Sequence, residues 1–241
     1  MIAIEVIALV YKSKAYCEFI TDQLVEYAVA KDAIVTSRIV ANDPEVEGIL
    51  DYPRSKGLAV SVYNDEKPDD YYLNRVYRCW NWAVKSSMFE SVCLVNSDMA
   101  FSRDWLTNLL KGYVGETVPT SRLVESGKMR SGRYGISKNF GKSPETFRKR
   151  EWEEWASQNM NTLAKPGGLF MPVVFDQQKF LLTGGFPEGN IYADGVGTCN
   201  GDVLVSGDAY YYKLLETTIG LKHVTRFDSL VYHIQEGEMD E

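Results

Sequence analysis

The first 113 residues carry an alternation that few folds can accommodate. Apolar runs suited to buried strands lie at 2–10 (IAIEVIALV), 33–41 (AIVTSRIVA), 58–62 (LAVSV) and 91–95 (SVCLV). Helical spacing fills the gaps. Between Ser13 and Ala30, Tyr16, Phe19, Ile20, Leu24 and Tyr27 recur on one side, and 70–87 and 103–113 read as two further helices, the second capped by Ser102. Strands joined through helices cannot be hairpin partners, so they imply βαβ units and a mostly parallel central sheet flanked by helices. At 241 residues the chain suits one α/β domain.

In an open sheet of this kind, ligands meet the carboxyl ends of the strands. The fourth run stops abruptly at Asn96-Ser97-Asp98. Hard oxygen ligands at such a point suit Mg²⁺ or Mn²⁺ shared with phosphates, although Asn and Asp are also ordinary turn formers. Strand one ends at Tyr11, and strand two runs into Asn42-Asp43-Pro44. These tips are expected to neighbour Asp98.

Beyond residue 113 the texture changes. Residues 115–168 read as a long basic loop interrupted by one amphipathic helix (ETFRKREWEEWASQN), with Trp152 and Trp155 a turn apart on one side. A strand-like LFMPVVF, a Gly184-Gly185-Phe186 turn, a helix at 208–217 and strand pieces around 223–233 follow. The net charge of −7 conceals an asymmetry: residues 122–150 hold nine Lys/Arg against Glu125 and Glu145, leaving the remainder strongly acidic. A basic island on an acidic protein points to a local anionic partner, such as a lipid phosphate or an acidic glycan, and does not favour general nucleic-acid binding.

The opening MIAIEVIALV contains Glu5 and lacks a basic leader, so it reads as a first strand and not as a signal segment. No stretch approaches the ~18 apolar residues of a membrane span. Cys17, Cys79, Cys93 and Cys199 are scattered without metal-ligand spacing. Reduced thiols and a cytoplasmic location are expected, with peripheral membrane contact left open.

Taken in order, these motifs resemble the GT-A glycosyltransferases, in particular the inverting family 2 enzymes that use nucleotide-diphosphate sugars. The residues that carry the likeness are Asn81, fifteen positions before Asn96; the Asn96-Ser97-Asp98 triplet; TGGFPE at 183–188; GDAYYYKLLETTIG at 207–220; and VYHIQEGE at 231–238. The chain departs from the pattern where Asn96 replaces an acid and Gly207 replaces the Glu of a Glu-Asp pair.

The resemblance implies a donor half to about residue 113 and an acceptor half beyond. It implies a hexosyltransferase-type enzyme taking a UDP-sugar or similar donor, with Mn²⁺ or Mg²⁺ held by Asp98 and His233. Asp208 is the candidate general base, with Asp202 as rival and Asp194 as a third choice. Tyr11, Asn42, Asp43, Asn81, Asn96, Ser97, Gly184 and Gly185 are the candidate donor-binding residues, and the acceptor would be a glycan, a lipid-linked or another anionic molecule. His223, with no motif around it, reads as structural. Two alternatives stay open: a non-catalytic nucleotide-sugar or glycan-binding protein of glycosyltransferase descent, and a sugar transferase acting on nucleic acid. A nucleotidyltransferase is disfavoured because LVYKSKAY, after strand one, has no glycine-rich phosphate loop.

Overall fold

The computed structural model describes residues 1–42, 48–113, 115–126, 133–168 and 171–234. The first elements are β1 (Ile2–Val10), α1 (Lys14–Tyr27), β2 (Ala33–Ala41), α2 (Asp51–Ser55), β3 (Ala59–Val62), α3 (Tyr72–Lys85), β4 (Ser91–Asn96), β5 (Met99–Phe101) and α4 (Trp105–Leu110). Then come β6 (Thr117–Glu125), β7 (Ile136–Ser137), α5 (Lys149–Asn159), β8 (Ala164–Pro166), β9 (Val173–Asp176) and α6 (Gln177–Leu182). The chain closes with β10 (Ile191–Tyr192), β11 (Gly195–Val196), β12 (Val203–Val205), α7 (Gly207–Ile219) and β13 (Lys222–His233).

One sheet runs through both halves in the order β3-β2-β1-β4-β9-β6-β13-β5, with β7 and β8 attached at β6 and β13. Its pairings are mixed, five parallel and four antiparallel among the described residues. β1 is central and covered on both faces, which explains its almost unbroken apolar sequence. Its one charged residue, Glu5, is buried and paired with Arg38 of β2 at 3.0 Å. That guanidinium also donates to the Ala83 carbonyl of α3 at 2.7 Å. The pair therefore ties two strands and a helix together without leaving an uncompensated charge.

Two expectations need correction. Residues 115–168 are not mainly loop, because β6 lies in the sheet between β9 and β13. Its polar residues disguise it: Thr120, Ser121 and Glu125 are all buried and each has a partner. Ser102 does not cap α4 through its side chain; the cap position is Asp104, in a left-handed conformation, and Ser102 supplies only its carbonyl, to the Trp105 N–H.

Trp152 and Trp155 pack inward. With Phe140 and Tyr232 they form a second core that seats α5 against the end of the sheet. The basic island is also partly neutralised there: Arg148 pairs with Glu151, Lys149 with Glu26, and Arg150 with Glu154. Lys128 and Arg130 lie outside the described residues. His223 stacks on Tyr212 at 4.1 Å and meets the Thr120 hydroxyl at 3.0 Å, in keeping with a structural role. No helix among the described residues is long and apolar enough to cross a membrane.

Candidate active site

Register builds the centre of the site. β4 ends at Asn96 in the middle of the sheet, and β5 begins only three residues later at Met99, yet β5 pairs with β13 at the far end. Ser97 and Asp98 are thus the short link between the two. In that far pairing His233 lies opposite Met99, and on its other side β13 places His233 opposite Glu125 of β6. Backbone alignment alone brings Asp98, His233 and Glu125 together.

The side chains complete the arrangement. His233 Nε2 lies 3.1 Å from Asp98 Oδ2, and Nδ1 lies 2.8 Å from Glu125 Oε1. Burial by itself pushes the imidazole pKa down; the charge and hydrogen bond of Asp98, with those of Glu125, outweigh it and raise the pKa to about 10. The second oxygen of Asp98, Oδ1, is buried and has no hydrogen-bond partner among the described residues.

In metal sites the histidine nitrogen that does not bind the metal commonly faces a carboxylate, as Nδ1 faces Glu125; Nε2, bonded here to Asp98, would have to give up its proton to serve as a ligand. With that proton displaced, Asp98 and His233 would be the pair able to hold a divalent cation taking its other ligands from phosphate and water. No group of three or more His, Cys, Asp or Glu among the described residues is arranged to hold a metal unaided.

Asp98 lines a cleft of about 370 Å³ at the carboxyl ends of β1, β2 and β4, together with Tyr11, Asn42, Asn96 and Ser97. Parallel pairing accounts for this meeting, since Leu9 lies opposite Asn96 and the Asn42 N–H donates to the Val10 carbonyl at 2.9 Å. Asp43 lies outside the described residues. Tyr11 is held at the mouth by Arg75 of α3, which donates to its hydroxyl at 3.1 Å and lies 4.8 Å from the ring centre. The same hydrogen bond lowers the phenol pKa.

Asn81, Gly184 and Gly185 are not part of this cleft. Asn81 Nδ2 donates to the Phe186 carbonyl at 2.8 Å, and its Oδ1 accepts from the Phe186 N–H at 2.9 Å. The amide therefore clasps the Gly-Gly-Phe turn like a strand partner. Asn81 and Gly184 line a larger groove, about 780 Å³, on another face of α3. There Arg78 is already engaged by Asp65, Asp70 and the Lys67 carbonyl. The smaller cleft is the better candidate because residues lining it carry buried polar atoms without a partner among the described residues.

Asp208 sits in the first turn of α7, where Ser206 and not Asp208 is the cap residue. Its N–H donates to the Tyr77 hydroxyl at 3.1 Å, and its Oδ1 accepts from Ala209 N–H at 2.8 Å. Asp208 does not line the cleft, but Tyr77 packs at 5.8 Å on Trp80, which does. Asp202 is exposed before β12, and Asp194 is exposed and bonded by Thr198. The glycine at 207 has a steric cause: a Cβ there would approach the Tyr77 ring at 2.8 Å and the Gly189 carbonyl at 2.5 Å.

Glu125 and Trp80 escaped the sequence reading. Glu125 was visible only as an acid in a basic stretch, and Trp80 only as one aromatic among many. Glu125 opposite His233 follows from strand register, which no local spacing encodes.

Among known structures, GalNAc-T7 with UDP, GalNAc and Mn²⁺ superposes with a TM-score of 0.61 at 10% identity, covering 100% of this chain and 45% of that one. The mannosyltransferase PcManGT from Pyrobaculum calidifontis, in complex with GDP-Man and Mn²⁺, gives 0.59 at 13% identity, covering 96% of this chain. Residues 1–349 of S. aureus TarS give 0.58 at 14% identity, also over 96% of this chain. The fold is GT-A. The GT-A unit here spans 56% of the PcManGT chain and 60% of the TarS chain, so these relatives extend well beyond it. No family model matches the sequence, and no curated protein matches it.

Proposed function

We propose that this chain is a glycosyltransferase that moves a sugar from a nucleotide-diphosphate donor to an acceptor hydroxyl, with inversion and with help from Mn²⁺ or Mg²⁺. The observation that carries the reading is the Asp98–His233 pair at 3.1 Å, backed by Glu125, at the edge of a strand-tip cleft. The Mn²⁺ and nucleotide partners of two neighbours on the same fold support it.

In this reading Tyr11 stacks on the base, while Asn42 and Asp43 bind base or ribose. Asn96 and Ser97 face the diphosphate. A cation on Asp98 and His233 would supply charge neutralisation to the departing diphosphate. Glu125 keeps the imidazole turned toward Asp98. Asp208 takes the proton of the acceptor hydroxyl. Asp202 is the competing base. Asn81, Gly184 and Gly185 act at one remove, fixing the turn whose Phe186 packs on Trp80. The subtype is family 2-like with a UDP-sugar donor, residues 1–113 forming the donor half.

Asn96, which removes one anionic ligand, favours a second reading as a non-catalytic nucleotide-sugar binder. Thermal-shift and product assays with UDP-, GDP- and dTDP-sugars, with and without Mn²⁺, separate the two. A ligand at 100 times its Kd stabilises by about 2.7 kcal/mol. Stabilisation with product formation, both lost in Asp98→Ala, is the expected result. Binding without turnover establishes the second reading, and no stabilisation by any donor overturns both.

A further inference from the structure

We infer that Trp80 is a donor-contacting residue, whose indole N–H binds an oxygen of the diphosphate or of its attached sugar. This rests on the nucleotide-sugar reading of the cleft. Trp80 is only 7% exposed, and its Nε1 has no hydrogen-bond partner among the described residues. Other buried indoles in this chain behave differently. Trp105 Nε1 donates to the Tyr27 carbonyl at 2.9 Å, and Trp152 Nε1 donates to the Phe101 carbonyl at 3.3 Å. Buried tryptophans ordinarily find such a partner, and leaving a buried donor unmade is costly.

Packing explains the ring but not the nitrogen. The indole lies against Tyr77 at 5.8 Å and Phe186 at 5.6 Å, contacts that a phenylalanine would also make. What distinguishes the site is company. Seven buried side-chain polar atoms lack a partner among the described residues, and three of them, Asn42 Oδ1, Trp80 Nε1 and Asp98 Oδ1, belong to residues lining the one cleft. Native proteins leave few such groups, and a cluster of them demands an explanation.

A nucleotide sugar answers each in kind. Asn42 needs a donor, which a base N–H or a ribose hydroxyl provides. Asp98 needs a cation. Trp80 can only donate, and phosphate oxygens only accept. Asn96 in place of an acid leaves this part of the cleft less repulsive to an anion. Trp80 then adds a neutral donor where the cation has one carboxylate fewer to work with.

The test is titration calorimetry of wild type and Trp80→Phe with UDP, UDP-glucose, GDP and GDP-mannose, each with Mn²⁺, alongside thermal unfolding without nucleotide. Because the N–H has no partner among the described residues, Trp80→Phe gives up some packing but no hydrogen bond, and should keep one cooperative unfolding transition while binding nucleotide about 10-fold more weakly. A loss already present with the diphosphate alone places the contact on phosphate, and a loss confined to the sugar nucleotides places it on the sugar. In wild-type protein the ¹⁵N-indole resonance of Trp80 should move downfield and gain exchange protection when nucleotide is added, a measurement that needs no folded variant. Equal affinities in the two proteins, or an indole resonance that ignores bound nucleotide, overturns the inference alone. Failure of wild type to bind any of the four overturns the nucleotide-sugar reading on which it stands.

Discussion

Gly184 and Gly185 are adjacent, both left-handed, and yet should respond very differently to alanine. Their φ angles are +83° and +77°. Each substitution carries the left-handed penalty of roughly 1–2 kcal/mol. At Gly184 nothing lies within 4 Å of the added Cβ, so the cost ends there. At Gly185 the Cβ would stand 2.5 Å from Asn81 Oδ1 and 2.9 Å from the Phe180 ring. To restore ordinary contact Asn81 must retreat, and its bonds to Phe186 at 2.8 and 2.9 Å break. Two lost hydrogen bonds add roughly 2 kcal/mol, bringing Gly185→Ala to about 3–4 kcal/mol. In a chain of this size the gap between the variants is about 4–8 °C in Tm. Urea and thermal unfolding of both variants, with Asn81→Ala and the Asn81→Ala/Gly185→Ala double variant, measure it. The double variant should cost about 2 kcal/mol less than the sum of its parts. Equal losses at the two glycines, or strict additivity with Asn81, would refute the claim that Asn81 is what requires glycine at 185.

Three other expectations bear on the site and its support. Glu125→Gln should raise the Mn²⁺ concentration needed for half-maximal turnover about 10- to 100-fold, as second-layer partners of metal-binding histidines do, and an unchanged Mn²⁺ titration would argue that His233 is positioned without it. Asp208→Asn should lower kcat by two or more orders of magnitude while calorimetric donor affinity stays near wild type; if Asp202→Asn does this instead, the base has been placed on the wrong residue. Trp152→Ala, removing a side chain that is 1% exposed at the centre of the second core, should cost about 3–5 kcal/mol in chemical denaturation, and a loss under 1 kcal/mol would mean α5 is not anchored through that ring.

The first 113 residues were legible because their strands announce themselves. Residues 2–10 and 33–41 match β1 and β2, and β1 is apolar on both faces as a covered parallel strand requires. The same rule hid β6, where Thr120, Ser121 and Glu125 replace apolar residues and Pro119 interrupts the run. Their burial is affordable only through partners supplied by β13, more than a hundred residues away. Asp98 could be singled out from its strand-end position, and His233 through family likeness, but their meeting depends on β5 crossing to the far end of the sheet. The basic stretch misled for the opposite reason: its charges are local in sequence, but Arg148, Lys149 and Arg150 already have acidic partners on α5 and α1.

The alignment of β13 with β6 shifts between Arg226 and Leu230, where Phe227, Asp228 and Ser229 bulge out. That bulge is fastened to α4: Asn108 donates to the Asp228 carbonyl at 2.7 Å, and the Ser229 hydroxyl donates to the Trp105 carbonyl at 2.9 Å. It works as an expansion joint. A residue gained or lost within it is absorbed before Leu230, and the imidazole keeps its place. One inserted between Leu230 and His233 has no such relief, and a single step would swing the ring to the opposite side of the sheet. Variation in the length of this bulge is thereby uncoupled from the meeting of Asp98, His233 and Glu125.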